Sequence, residues 1–166
     1  MKKLFTLLFM LCGVIGTFAQ SPTFSSTDNP IYYKVYFTNG GTYYIADKGV
    51  GNNVQTAASV SNEGCWALIG SAENFVMLSK NGNYIYKNGS YMATTATATQ
   101  ALSLKLVSGN NGNYEIQAVG GTTCFNMWGG AGTGKSVGLY NKGDNGNQLK
   151  FGPTQYILPT FSDETT

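Results

Sequence analysis

Histidine and arginine are both missing from this chain, and every basic residue is a lysine. The lack of histidine removes the commonest general base and a common metal ligand. Charge of either sign is sparse, with ten lysines against eight acidic residues. Lys2 and Lys3 belong to an N-terminal segment that is read below as a signal, so the rest is close to neutral. A near-neutral surface offers no basic face for phosphates, which excludes nucleic acid as a partner. Long apolar runs are limited to Leu4–Ile15, too short and too early for a membrane span, so no stable membrane insertion is expected. Cysteine is scarce as well. Cys65 and Cys124 each sit in an apolar strand pattern and read as small buried thiols, with their pairing left open because two cysteines give no spacing pattern. No cofactor and no metal are implied.

Glycine, asparagine, threonine and tyrosine are plentiful instead, a composition of tight turns, β-strands and uncharged hydrogen-bonding groups. Residues 1–19 read as a secretory signal: Lys2 and Lys3, the apolar run, then Thr17-Phe18-Ala19 as a small-residue cleavage site near Ala19. Cys12 raises a lipoprotein anchor, but Leu11 stands where such a signal carries a small residue. The mature chain is therefore expected outside the cytoplasm, secreted, at the cell surface or periplasmic. Residues 20–31 form a polar leader, a linker or terminal strap. Residues 154–166 form a C-terminal tail or linker, where a further module would attach. Within that tail Pro159-Thr160-Phe161-Ser162 echoes Pro22-Thr23-Phe24-Ser25.

Between these ends, residues 32–153 give one domain of short strands. Tyr33, Val35 and Phe37 alternate with polar partners, as do Tyr114, Ile116 and Ala118, and Phe75 with Met77 forms a similar run. Period two marks half-buried strands. Each run is followed by a glycine-containing turn and a second strand, at Tyr43–Ile45, Tyr84–Tyr86 and Thr123–Phe125. Each unit then closes on a last strand, marked by Trp66 and Leu68, Leu104 and Leu106, or Leu149 and Phe151. The units recur about every 40 residues, the signature of a repeat architecture. Three such units are too few for a propeller, so the all-β fold expected is a β-trefoil of three four-stranded repeats.

One stretch matches a nucleotide-binding motif. Gly129, Gly134, Lys135 and Ser136 spell G-x-x-x-x-G-K-S. A phosphate cradle needs a helix leaving the loop. Val137-Gly138-Leu139-Tyr140-Asn141-Lys142-Gly143 cannot sustain one. No nucleotide partner is expected.

Read whole, the same stretch runs Cys124-Phe125-Asn126, a glycine-rich loop, Val137-Gly138-Leu139-Tyr140, then Asn147-Gln148-Leu149. It resembles one repeat of the ricin-type (QxW) β-trefoil lectins, whose pattern is roughly C-L-D, a glycine-rich loop, V-x-L-W and N-Q-x-W. The resemblance implies that Asn126 and Asn147 bind sugar hydroxyls, that Tyr140 stacks on the pyranose face, and that Gln148 braces the repeat. Trp128, in the glycine-rich loop, offers a second ring. The chain departs from the family in three ways: Asn126 replaces the acid, Phe151 or Leu149 replaces the closing tryptophan, and the cysteine after the third strand is absent. The second unit, with the tight turn Asn88-Gly89, leaves no room for a binding loop, and Thr94 falls near the Tyr140 position. The first unit keeps a loop with Asp47 as its acid, but Ala57 stands in place of the ring.

The expectation is a secreted bacterial carbohydrate-binding module, not an enzyme, whose partner is a neutral glycan bound through Asn126, Trp128, Tyr140 and Asn147. Two alternatives stay open. One is a β-trefoil for protein interaction or adhesion without sugar binding. The other is the non-catalytic N-terminal domain of a larger glycan-degrading enzyme.

Overall fold

Burial alternates along the first and the last strand of the domain and runs unbroken along several strands between them, among them Met92–Thr95 and Cys124–Met127. In strand β1 (Tyr32–Phe37) only Tyr33, Val35 and Phe37 turn inward, as the pleat requires. β1 is followed by β2 (Tyr43–Ala46), β3 (Gln55–Ala57) and β4 (Cys65–Ser71) to complete the first unit. The second unit comprises β5 (Asn74–Ser79), β6 (Tyr84–Asn88), β7 (Tyr91–Thr95) and β8 (Leu104–Ser108). The third comprises β9 (Tyr114–Ala118), β10 (Thr123–Met127), β11 (Val137–Asn141) and β12 (Leu149–Pro153). This is a computed structural model, and it describes residues 21–154. The signal segment, the cleavage point near Ala19 and the Pro159–Ser162 echo lie outside the described residues.

The first and last strands of each unit form a closed antiparallel barrel. β1 pairs with β4, β4 with β5, β5 with β8, β8 with β9, β9 with β12, and β12 returns to β1. Closure leaves no open edge among these strands, which removes a template for aggregation. The inner pairs β2–β3, β6–β7 and β10–β11 are hairpins. They meet one another over one end of the barrel through Asn53↔Ala93, Gln55↔Ser136 and Gly138↔Tyr91. This threefold plan is the β-trefoil expected from the repeats.

The core runs through barrel and cap. Val35, Met77 and Ile116 come from the first strands, Ile45, Ile85 and Phe125 from the second, Met92 and Val137 from the third strands of units two and three, and Val54 from the residue just before β3. Each such fully buried side chain contributes about 1.5–3 kcal/mol through apolar burial. Trp66 is fully buried too, and its indole Nε1 donates to Ile45 O at 2.8 Å, so the ring is core with its one polar atom satisfied. The strand register puts Leu104 and Leu149 at the Trp66 position, opposite Phe75 and Tyr114 as Trp66 stands opposite Tyr33. Leu149, and not Phe151, therefore occupies the closing position of the third unit.

One local detail differs from the sequence reading. Asn88 pairs with Tyr91, so the two-residue turn of the second unit is Gly89-Ser90, with Gly89 in the left-handed region at φ 62°. Glycine takes that first position without steric cost. The described part of the leader is fastened to the barrel: Ser25 N donates to Leu68 O (2.9 Å), Gly70 N donates to Ser25 O (3.1 Å), and the Phe24 ring packs 5.4 Å from that of Phe75.

Candidate functional site

The glycine-rich loop between β10 and β11 is pinned by Thr56 of the first unit. Thr56 Oγ1 donates to Gly132 O (2.6 Å) and accepts from Lys135 N (2.9 Å), while Gly134 N donates to Thr56 O (2.7 Å). Two of the amides that a phosphate cradle would aim at its ligand, those of Gly134 and Lys135, are thus engaged. Ser136 leads into strand β11, and no helix follows.

At its base the loop holds two exposed rings at nearly a right angle. Trp128 is 39% exposed and Tyr140 is 45% exposed, with ring centroids 6.2 Å apart and planes at 76°. Two neighbours fix the indole. Tyr91 meets it edge-on at 6.1 Å. Gly138 makes room for it, because a Cβ there would lie 2.8 Å from Trp128 Cε3. The missing side chain of Gly138 in the Val-Gly-Leu-Tyr run is what lets the ring lie flat on β11.

The rings border an open depression of about 390 Å³, lined also by Asn126, Asp144 and Asn39. Asn126 is 7% exposed. Its Nδ2 donates to Asp144 Oδ1 (3.0 Å) and to Asn147 Oδ1 (2.8 Å). Asp144 was not singled out from the sequence, where Lys-Gly-Asp-Asn-Gly reads only as a turn. Here it begins the short 3-10 turn Asn145–Asn147, and its Oδ1 also accepts from Gly146 N (2.7 Å).

Asn147, expected to touch ligand, is 0% exposed and does not line the depression. Its amide is consumed internally, because Nδ2 donates to Glu115 Oε2 (3.3 Å) and to Asn141 O (2.8 Å). It stands behind Asn126 as a support. Gln148 acts as a brace: Nε2 donates to Glu115 Oε1 (2.9 Å) and Asp144 O (3.0 Å), and Oε1 accepts from Asn110 N (2.6 Å).

Glu115 is the hub of this network, although in the sequence it is no more than a polar place in β9. Burial pushes its carboxyl pKa up, but donors from Gly143 N, Gln148, Cys124 and Asn147 together hold it below the ordinary carboxylate value. The Cys124 thiol is pushed up to about 12, first by burial and then by its hydrogen bond to Glu115. Burial also raises Cys65, whose Sγ donates to Ser61 O at 3.2 Å. Both cysteines are free.

The other units lack this arrangement. Cys124 pairs with Tyr140, Tyr44 with Ala57, and Tyr84 with Thr95, so Ala57 and Thr95 (the neighbour of Thr94) hold the ring position of units one and two. Asp47, the acid of the first-unit loop, is buried. It accepts from Ser79 Oγ (2.6 Å), Asn83 Nδ2 (2.9 Å), Gly49 N (2.8 Å) and Thr94 Oγ1 (3.2 Å). Its task is to join units one and two. Among the described residues, no group of three or more acidic or cysteine side chains is placed to hold a metal ion.

No family model and no curated protein matches the chain. Solved structures do. The Rhizoctonia solani agglutinin aligns with a TM-score of 0.61 at 16% identity, covering 75% of this chain and 96% of its own. A Macrolepiota procera ricin B-like lectin in complex with lactose aligns with a TM-score of 0.66 at 12% identity, covering 79% and 99%. A proteinase inhibitor from Coprinopsis cinerea aligns with a TM-score of 0.59 at 9% identity, covering 75% and 98%. At such identities fold is what is shared, and by its barrel, its capping hairpins and these likenesses the chain is a β-trefoil.

Proposed function

We propose that this chain is a lectin-like carbohydrate-binding module that recognises a neutral glycan through a single site on its third unit. The observation that carries this reading is the exposed, nearly perpendicular pair Trp128 and Tyr140 beside fixed polar groups of Asn126 and Asp144. A pyranose has an apolar C–H face and a rim of hydroxyls. Rigid rings cover the first at low entropy cost, and preset hydrogen-bonding groups meet the second. Among the described residues Asp144 is the only charged one lining the depression, which favours a neutral sugar over an acidic one. The fold is also that of the Rhizoctonia agglutinin and of the Macrolepiota lectin whose complex holds lactose.

We read the role as binding, because among the described residues one carboxylate borders the depression, whereas glycoside hydrolysis ordinarily uses a pair about 5–9.5 Å apart. Export follows from the signal-like segment with its cleavage point near Ala19. A single shallow site binds weakly, so useful avidity comes from several copies or from tethering to another module.

Glycan-array binding of the mature chain tests the proposal, repeated with Tyr140→Ala and Trp128→Ala. Each variant is expected to weaken binding by about tenfold or more, the loss of roughly 1.4 kcal/mol of ring contact, with its melting temperature nearly unchanged. Glycan binding that survives both changes would place the site elsewhere. A chain that binds no glycan even at high valency is instead an interaction module, on the fold it shares with the Coprinopsis inhibitor.

A further inference from the structure

The depression has a polarity that is set from inside the protein. Glu115 is a buried carboxylate and can only accept hydrogen bonds. It therefore turns the Nδ2 of Asn147 toward itself, at 3.3 Å, with Asn141 O taking the other hydrogen at 2.8 Å. That leaves Asn147 Oδ1 facing Asn126, whose Nδ2 spends one hydrogen on it at 2.8 Å and the other on Asp144 Oδ1 at 3.0 Å. Asn126 has no donor left for a ligand. Its Oδ1 meets no protein donor among the described residues and is not among the buried unpaired atoms, so it is open to solvent. Asp144 Oδ1 is likewise filled, by Asn126 Nδ2 and Gly146 N, while no described residue donates to its Oδ2.

Resting on the carbohydrate reading above, we propose that Asp144 supplies the charged acceptor missing at position 126, and that Glu115, acting through Asn147, fixes Asn126 as a second acceptor beside it. Asp144 is then a specificity-determining contact, and Glu115 and Asn147 are positioning residues. Two adjacent acceptors need two donors from the ligand. The group recognised is a pair of neighbouring, unsubstituted hydroxyls on a neutral pyranose lying against Tyr140 or Trp128. Blocking either hydroxyl turns a donor into an ether that faces an acceptor, and an anionic substituent faces the Asp144 carboxylate.

The probes are a printed array of neutral oligosaccharides with their sialylated and sulfated counterparts. The strongest neutral binder is then compared, by titration in solution, with its derivatives singly O-methylated at each ring hydroxyl. Wild type is expected to bind neutral members, to reject the anionic ones, and to lose about tenfold or more in affinity when either of two adjacent hydroxyls is methylated. Asp144→Asn keeps the shape but adds a donor. It should weaken the parent glycan about tenfold and narrow its advantage over the methylated forms. Glu115→Gln should also narrow that ratio, because it frees Asn147 and Asn126 to turn over. A purely structural role for Glu115 would lower melting temperature and affinity without changing the ranking.

If Glu115→Gln does not fold, Asp144→Asn decides the question. If Tyr140→Ala abolishes binding while Asp144→Asn changes neither affinity nor ranking, the acceptor assignment is overturned and the site stands. If neither Tyr140→Ala nor Trp128→Ala has an effect, the site itself is wrong and the assignment falls with it. Preferred binding of an amino sugar through its ammonium group would also overturn the diol.

Discussion

Glu115 and Cys124 show how much of the third unit rests on single atoms. The Glu115 carboxyl lies below its ordinary value in the folded protein because its donors outweigh the cost of burial. Its stabilising contribution is therefore present above the unfolded value of 4.5 and is lost as pH falls through the depressed folded value. Melting temperature should drop on acidification below about pH 4.5. In Glu115→Gln it should be lower at pH 7, by the equivalent of about 2 kcal/mol, and change less with acid. Cys124 obeys the opposite rule. With its thiol pushed up to about 12, its contribution is present below the ordinary thiol range and lost as pH rises toward that value. Native protein at pH 8 should resist alkylation at Cys124 and react there only after unfolding in urea, as mass spectrometry would show. At this scale the sequence was a partial guide. Residue type picked out Asn126, Trp128 and Tyr140, which the fold brings together. Asn147 looked alike but is turned inward by a carboxylate 32 residues away, and no local pattern carries that information. Asp144 was hidden because Asp before Asn-Gly is ordinary turn chemistry.

At the scale of elements, the third hairpin differs from its siblings by what its strands lack as well as by what they carry. Gly138 pairs with Asn126 and sits under the Trp128 ring. Its bare Cα is as much a part of the site as the indole. Gly138→Ala places a methyl 2.8 Å from Trp128 Cε3 and 3.3 Å from Ser90 O, so the ring must lift. The expected result is a shifted tryptophan emission and a several-fold loss of glycan affinity, with a modest destabilisation of about 1–3 kcal/mol from overpacking. Unchanged emission and affinity would show that the ring's placement does not depend on that gap. The strands themselves were legible from alternation, since period two with one face buried admits little else. Turn placement was legible only to within a residue, as the shift from Asn88-Gly89 to Gly89-Ser90 shows. The tie between Thr56 and the glycine-rich loop was not legible, because it joins residues that meet only after the three hairpins assemble.

For the whole molecule, the three repeats are not three independent domains. Each unit's first strand finds a partner in the unit before it, and β1 finds its partner in β12 over the full register from Tyr33↔Pro153 to Phe37↔Leu149. Removing β12 therefore opens the barrel and exposes Val35, Phe37 and the rest of the common core. A chain ending at Gln148 should fail to fold cooperatively and should lack a sharp thermal transition by circular dichroism. A stable two-unit remnant would show that closure is dispensable. The threefold plan could be read from spacing alone, because a repeat near 40 residues made only of strands has few ways to bury its faces. That only the third unit carries a ring at this place could also be read, since Ala57 and a threonine stand there in the other two.

The β1–β12 pairing also decides how the module can be carried. Tyr33 and Pro153 are neighbours, so the described chain enters and leaves the barrel through one doorway. Phe37 and Leu149 pair at the other end of these strands, about 13 Å along at 3.3 Å per strand residue. A tether attached at the doorway therefore starts at the end of β1 away from Asn39, which lines the depression. A domain whose described ends lie side by side could be spliced into a surface loop of a host protein or strung in series without prising the barrel open.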